Sequence, residues 1–213
     1  MALPKINTPT YELVVPSTDE KIKYRPFLVK EEKILLIAME SGKQKDIITA
    51  IKQIVTACTF GKLKIGRMPM FDVEYLFLNM RAKSVGEISE LKLIAPDDKK
   101  TKVDVSVDLS TIQVQEEEGH TNKIELTDEM GIYMQYPTVD TFGESGISDI
   151  NASNMLEVIT GCIAQIYDKK GEEVFEAKDQ TKKELIEFVE QLNSKQFADV
   201  QSFFDTAPKL KHE

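Results

Sequence analysis

A chain of 213 residues with 41% hydrophobic and 30% charged side chains is long enough for one large domain or two small ones, and it holds the apolar material for a packed core. Its formal net charge of −9 and pI near 5.0 exclude a general nucleic-acid binder, which needs clustered Lys and Arg to release counterions. No run of about 18 apolar residues occurs, and Met1-Ala-Leu-Pro-Lys-Ile-Asn7 lacks an apolar signal core, so neither a membrane partner nor secretion is expected.

Residues 10–29 read as a hairpin. Tyr11, Leu13 and Val15 alternate, a turn follows from Pro16 to Glu20, and Ile22, Tyr24 and Phe27 continue the pattern. Pro26 denies a ladder donor and belongs at a strand end. A helix follows directly through Ile34-Leu-Leu-Ile-Ala-Met and stops at Gly42. Ile47, Ile48, Ile51, Ile54, Val55 and Cys58 form one stripe, which predicts an amphipathic helix over 44–58 packed on the first. Pro69 suits the first turn of a third helix, which carries Phe71, Tyr75, Phe77, Leu78 and Met80 and ends near Gly86. Apolar residues cover more than one of its faces, so it is expected to be central or to expose part of itself to a partner.

The period then changes to two. Residues 87–94 and 102–109 read as strands about the Pro96-Asp-Asp-Lys turn, with Val103, Val105 and Val107 in strict alternation. Shorter strands are predicted at 111–115, 123–126 and 132–136, with a loop at Glu116-Glu-Glu-Gly119. Met155, Val158, Ile159, Cys162, Ile163 and Ile166 match a helical template, with Ser153 or Asn154 available as a cap. A hairpin-like stretch covers 167–175. Thr181-Lys-Lys-Glu184 has capping-box spacing ahead of Leu185, Phe188, Val189 and Leu192, and a last helix carries Phe197, Val200, Phe203 and Phe204 up to Pro208. The expected fold class is α+β: an N-terminal hairpin and helices, central antiparallel strands, and C-terminal helices in a single domain over 1–213, with sub-parts 1–86, 87–150 and 151–213.

Motifs of chemistry fail on inspection. Gly61-Lys-Leu-Lys-Ile-Gly66 has the glycine spacing of a phosphate-binding loop, but Arg67-Met68 stand where Lys and Ser or Thr are required. Gly143-Glu-Ser-Gly146 is followed by Ile147 rather than by the glycine of a nucleophile elbow. His120 lies in an acidic loop and His212 is next to last, so both read as solvated and neither as an acid–base catalyst. Two distant cysteines, Cys58 and Cys162, read as buried thiols rather than as a disulfide or zinc site. Asp97-Asp98 and Glu116–Glu118 read as solvent-facing carboxylates rather than metal ligands, and Asn151-Ala-Ser153 as a helix start rather than a glycosylation site. The chain is therefore read as a non-enzyme without cofactor or metal.

Three stretches carry a family resemblance. Tyr24-Arg-Pro-Phe-Leu-Val-Lys-Glu-Glu-Lys33 running into Ile34–Gly42 resembles the N-terminal block of the baseplate hub assembly proteins of T4-like tailed bacteriophages. Phe71–Glu87 is similar to their second block, and Glu184 through Phe197-Ala-Asp-Val-Gln-Ser-Phe-Phe-Asp-Thr-Ala-Pro-Lys-Leu210 to their C-terminal block. Some members of this wider group look zinc-binding through cysteine pairs near the central turn or beyond the C-terminal Pro-x-Leu. Here the turn reads Ile94-Ala-Pro-Asp-Asp98 and the chain stops at Glu213, so that property does not carry over.

The resemblance implies a late protein that binds other baseplate hub proteins as a non-enzymatic chaperone or scaffold. It also implies a place in the host cytoplasm during assembly, or in the tail baseplate of the virion. The alternatives are a permanent structural subunit of the hub and an unrelated host-directed binding module. Phe71, Tyr75, Phe77, Phe203 and Phe204 are the candidate partner contacts, with core as their competing reading. Oligomeric state stays open.

Overall fold

The computed structural model describes residues 6–94, 100–141 and 154–211. The fold is α+β, and the chain divides into two compact units, Met1–Val114 with Leu210–Glu213 and Gln115–Lys209. The boundary falls inside the middle sub-part read from the sequence, because the strands of that sub-part join different sheets. The Ile88–Asp108 hairpin pairs only with itself, whereas the strands after residue 120 join later ones in a four-stranded sheet.

In the first unit, β1 (Tyr11–Val14) and β2 (Lys21–Tyr24) form an antiparallel hairpin with Tyr11 opposite Tyr24. Three helices follow: α1 (Val29–Glu40), α2 (Gln44–Cys58) and α3 (Met70–Val85). The α1–α2 link is short because Gly42 takes a φ of 64°, a conformation that side chains with a Cβ resist. The stripe of α2 turns inward as its spacing requires, and Val55, Cys58, Leu76 and Met80 are fully buried. β3 (Ile88–Ile94) and β4 (Lys102–Asp108) are antiparallel, with Leu91 opposite Val105. β5 (Gln113–Gln115) pairs with the C-terminal β10 (Lys209–Lys211), a strand with no signal in the sequence pattern.

The second unit holds a sheet in the order β6 (Lys123–Glu125), β7 (Met130–Met134), β8 (Ile163–Asp168), β9 (Glu173–Glu176), antiparallel throughout. Helices α4 (Met155–Gly161), α5 (Lys182–Glu190) and α6 (Ser194–Thr206) supply the rest of its core. The Thr181 capping box forms as expected: its Oγ1 accepts the Glu184 amide at 3.3 Å, and the Glu184 carboxylate accepts the Thr181 amide at 2.8 Å. α6 starts on a second box, where Asn193 Oδ1 accepts the amides of Lys195 and Gln196, each at 3.0 Å.

One expected helix is cut short. The pattern from Met155 to Ile166 is helical, yet the helix stops at Gly161 and Ile163–Asp168 is a strand. In β8, Gln165 opposes Tyr133 and Ile163 opposes Met134, so Ala164 is an unopposed extra residue. Such a bulge lets Ile163 and Ile166, three apart, face the same core, and that spacing imitates a helix. Ser153 and the Gly143–Gly146 motif lie outside the described residues.

Candidate partner-binding surface

Of the five aromatic candidates, Phe71, Tyr75 and Phe77 lie in the first unit and Phe203 and Phe204 in the second. Phe71 (8% exposed) and Phe203 (3%) are buried, the core alternative given for them above. Phe71 is buried on the same side of α3 as Ala82, with Val73, Leu76 and Met80 buried on the opposite side, and Phe203 shares the inner stripe of α6 with Val200. Tyr75, Phe77 and Phe204 are half-buried. Phe77 stacks on Phe27 with ring centroids 6.2 Å apart, and Phe204 meets Phe203 edge-on at 5.1 Å.

His120 is also not the solvated residue that its acidic loop suggests. It is half-buried, lies 5.2 Å from the ring of Phe203 and 5.7 Å from that of Tyr136, and has both nitrogens engaged. Thr206 Oγ1 donates to the Ser202 carbonyl at 2.7 Å, so it accepts from His120 Nδ1–H at 2.8 Å. Nε2 then accepts from the Tyr136 hydroxyl at 2.9 Å. The imidazole is a structural link between the loop and α6, with its hydrogen-bonding capacity used.

One exposed apolar surface lies on α1, which the sequence reading passed over. Val29 (79% exposed), Leu36 (54%), Ile37 (57%) and Met39 (58%) face outward, while only Glu31 and Ala38 are buried. Val29 and Leu36 are two turns apart on one face, flanked by Ile37 and Met39. At the N-terminal end of that face, a cleft of about 560 Å³ is lined by Phe27, Leu28, Val29 and Val85. The run Ile34–Met39 is apolar all the way round the helix, with Lys33 and Glu40 interspersed on its outer face, and the exposure of Leu36, Ile37 and Met39 leaves apolar surface in solvent.

Two buried polar groups fix α1 and α3. Arg25 Nη2 donates to Glu31 Oε1 at 2.8 Å, and the Leu28 amide donates to Glu31 Oε2 at 2.9 Å, so a single carboxylate ties the end of β2 to the first turn of α1. Burial opposes ionisation of Glu31, but the Arg25 hydrogen bond, the Leu28 amide and the charges of Arg25 and Lys30 outweigh it and hold the pKa below its ordinary value. Asp72, fully buried in the first turn of α3, accepts the Ser17 amide at 3.1 Å and the Ser17 hydroxyl. There burial prevails over the two Ser17 bonds and pushes the carboxyl above its ordinary range. Burial likewise raises the thiols, Cys58 to about 11 and Cys162 to about 12, and both are free.

Charge is distributed unevenly. The first unit carries 19 Lys and Arg against 16 Asp and Glu, the second 8 against 20. The net values are +3 for the unit that contains α1 and −12 for the other. Among the described residues no group of three His, Cys, Asp or Glu is placed to hold a metal ion, and no helix is long and apolar enough to cross a membrane.

No curated protein and no solved structure matches this chain. The family described as T4 bacteriophage base plate protein matches residues 8–213, nearly the whole chain, and therefore both units together. A match of that extent identifies the chain as a member of the T4 bacteriophage base plate protein family.

Proposed function

We propose that the protein is a baseplate hub assembly factor. It binds a hub subunit non-covalently in the host cytoplasm, without catalysis, and holds it for incorporation into the baseplate. The observation that carries this reading is the outward face of α1, where Val29, Leu36, Ile37 and Met39 stand exposed in a chain whose family places it with baseplate proteins. Burying such surface against a partner stabilises a complex by about 25 cal/mol per Å² of apolar area, a gain that polar rim contacts can orient. Tyr75, Phe77 and Phe204, each partly at the surface, are secondary contacts in this reading.

Quantitative mass spectrometry of purified virions beside hub intermediates from infected cells tests it. Presence in intermediates and absence from virions is the expected result. Stoichiometric presence in virions makes the protein a permanent hub subunit, the reading that competes most directly. Absence from both samples overturns the hub assignment.

A further inference from the structure

We infer that the protein self-associates through β3, in an antiparallel two-fold pairing of that strand with β3 of a second copy. The reasoning starts from an edge. β3 pairs with β4 on one side, and among the described residues no strand pairs with its other side. It is seven residues long, and Ile88 (58% exposed), Leu91 (42%), Leu93 (50%) and Ile94 (59%) stand in solvent. Edge strands are ordinarily blunted by short length, prolines or charged side chains, and β3 is long and carries only Glu90 and Lys92 among apolar residues, two charges of opposite sign that a facing strand can neutralise. A two-stranded hairpin is also marginal in water without further strands or a covering layer.

The order of residues selects a second copy as the occupant. Along one face of β3 the residues are Ile88, Glu90, Lys92 and Ile94, and along the other Ser89, Leu91 and Leu93. Antiparallel pairing about Leu91 sets Ile88 opposite Ile94 of the second copy, and Glu90 opposite its Lys92. Two-fold symmetry repeats each pair, so the interface contains two opposite-charge pairs between two isoleucine pairs, with Leu91 against itself on the other face. The charges are available for this. Glu90 is exposed, and among the described residues Lys92 pairs with Asp104 alone, at 4.0 Å, with 76% of its side chain in solvent. A slip of one residue would break the Glu–Lys match and turn the faces over. The product is a four-stranded sheet, β4-β3-β3-β4, that merges the Leu91, Leu93, Val103, Val105 and Val107 faces of both copies.

Sedimentation equilibrium of the full chain over a range of concentrations provides the test, with circular dichroism to check folding. The wild type is expected to dimerise. Glu90→Lys and Lys92→Glu each place like charges opposite one another twice and should raise the dissociation constant about ten-fold or more. The double variant Glu90→Lys/Lys92→Glu restores opposite pairs and should recover the dimer. For the register, Leu91→Cys introduces a thiol on the two-fold axis beside two buried native cysteines and should give a crosslinked dimer on oxidation, whereas Ile94→Cys should not. A monomeric wild type, a dimer indifferent to the single reversals, or a double variant that stays monomeric overturns the proposal.

Discussion

The hydroxyl of Tyr167 occupies the space in which a side chain on Gly131 would begin. The two residues are opposite one another across β7 and β8, and the Ile124 carbonyl closes the same space from β6 at 2.5 Å from where a Cβ would stand. Glycine is required here by close packing. The ring of Tyr167 lies 5.4 Å from that of Tyr133 and beneath the ammonium groups of Lys123 and Lys169, while its buried hydroxyl has no hydrogen-bond partner among the described residues. Gly131→Ala should destabilise the protein by about 2 kcal/mol or more through overpacking. Tyr167→Phe removes a desolvated hydroxyl without opening a cavity and should gain about 1 kcal/mol. Urea denaturation of both variants checks the pair, and a destabilised Tyr167→Phe would show that the hydroxyl is satisfied in solution.

The Arg25–Glu31 pair sets a pH dependence. Glu31 has a lower pKa in the folded chain than its ordinary 4.5, so its contribution is present in full above that value and is lost as pH falls through the folded value. Glu31→Ala leaves the guanidinium of Arg25, only 13% exposed, without its carboxylate, at a cost of about 3 kcal/mol near neutral pH. That cost should shrink as pH is lowered below 4.5. Thermal unfolding of the two proteins at stepped pH measures the convergence.

Asp72 has the opposite sign. Its folded pKa lies above the ordinary 3.8, so the associated stability is complete below that pH and is lost as pH rises through the folded value. Asp72→Asn keeps an acceptor for the Ser17 amide and removes the ionisation. The variant should therefore gain on the wild type as pH is raised from below 3.8 toward neutrality, read from urea midpoints at each pH.

Exposure separates contact residues from core residues. Leu36→Glu and Ile37→Glu change half-exposed side chains and should shift folding stability by about 0.5 kcal/mol or less, yet reduce capture of baseplate subunits from infected-cell lysate. Phe203→Glu buries a charge in the core of the second unit and should unfold it. Unchanged capture by both α1 variants would remove α1 from the partner surface.

His120 is the strongest case of a residue whose role the local sequence conceals. Glu116–Glu118 and Gly119 mark a solvated loop, but the imidazole is held by Thr206 and Tyr136, 86 and 16 residues away in the chain. His120→Ala should cost about 2 kcal/mol in lost hydrogen bonds and ring contacts, measured by thermal unfolding.

The sequence by itself determined the local elements. The α2 stripe from Ile48 to Cys58, the Thr181–Glu184 box, Pro69 at the head of α3, and the alternation of Val103, Val105 and Val107 each fix a conformation through interactions a few residues apart. It also carried three stretches of family likeness, and the family match over residues 8–213 agrees with them. Tertiary structure decided what distant segments do to one another. It made Ile163–Asp168 a strand by pairing it with β7, buried Phe71 and Phe203, and left Leu36 and Ile37 uncovered. Spacing shows that a side chain belongs to an apolar face, but whether that face meets its own chain or solvent depends on contacts far apart in sequence, which only the folded chain brings together.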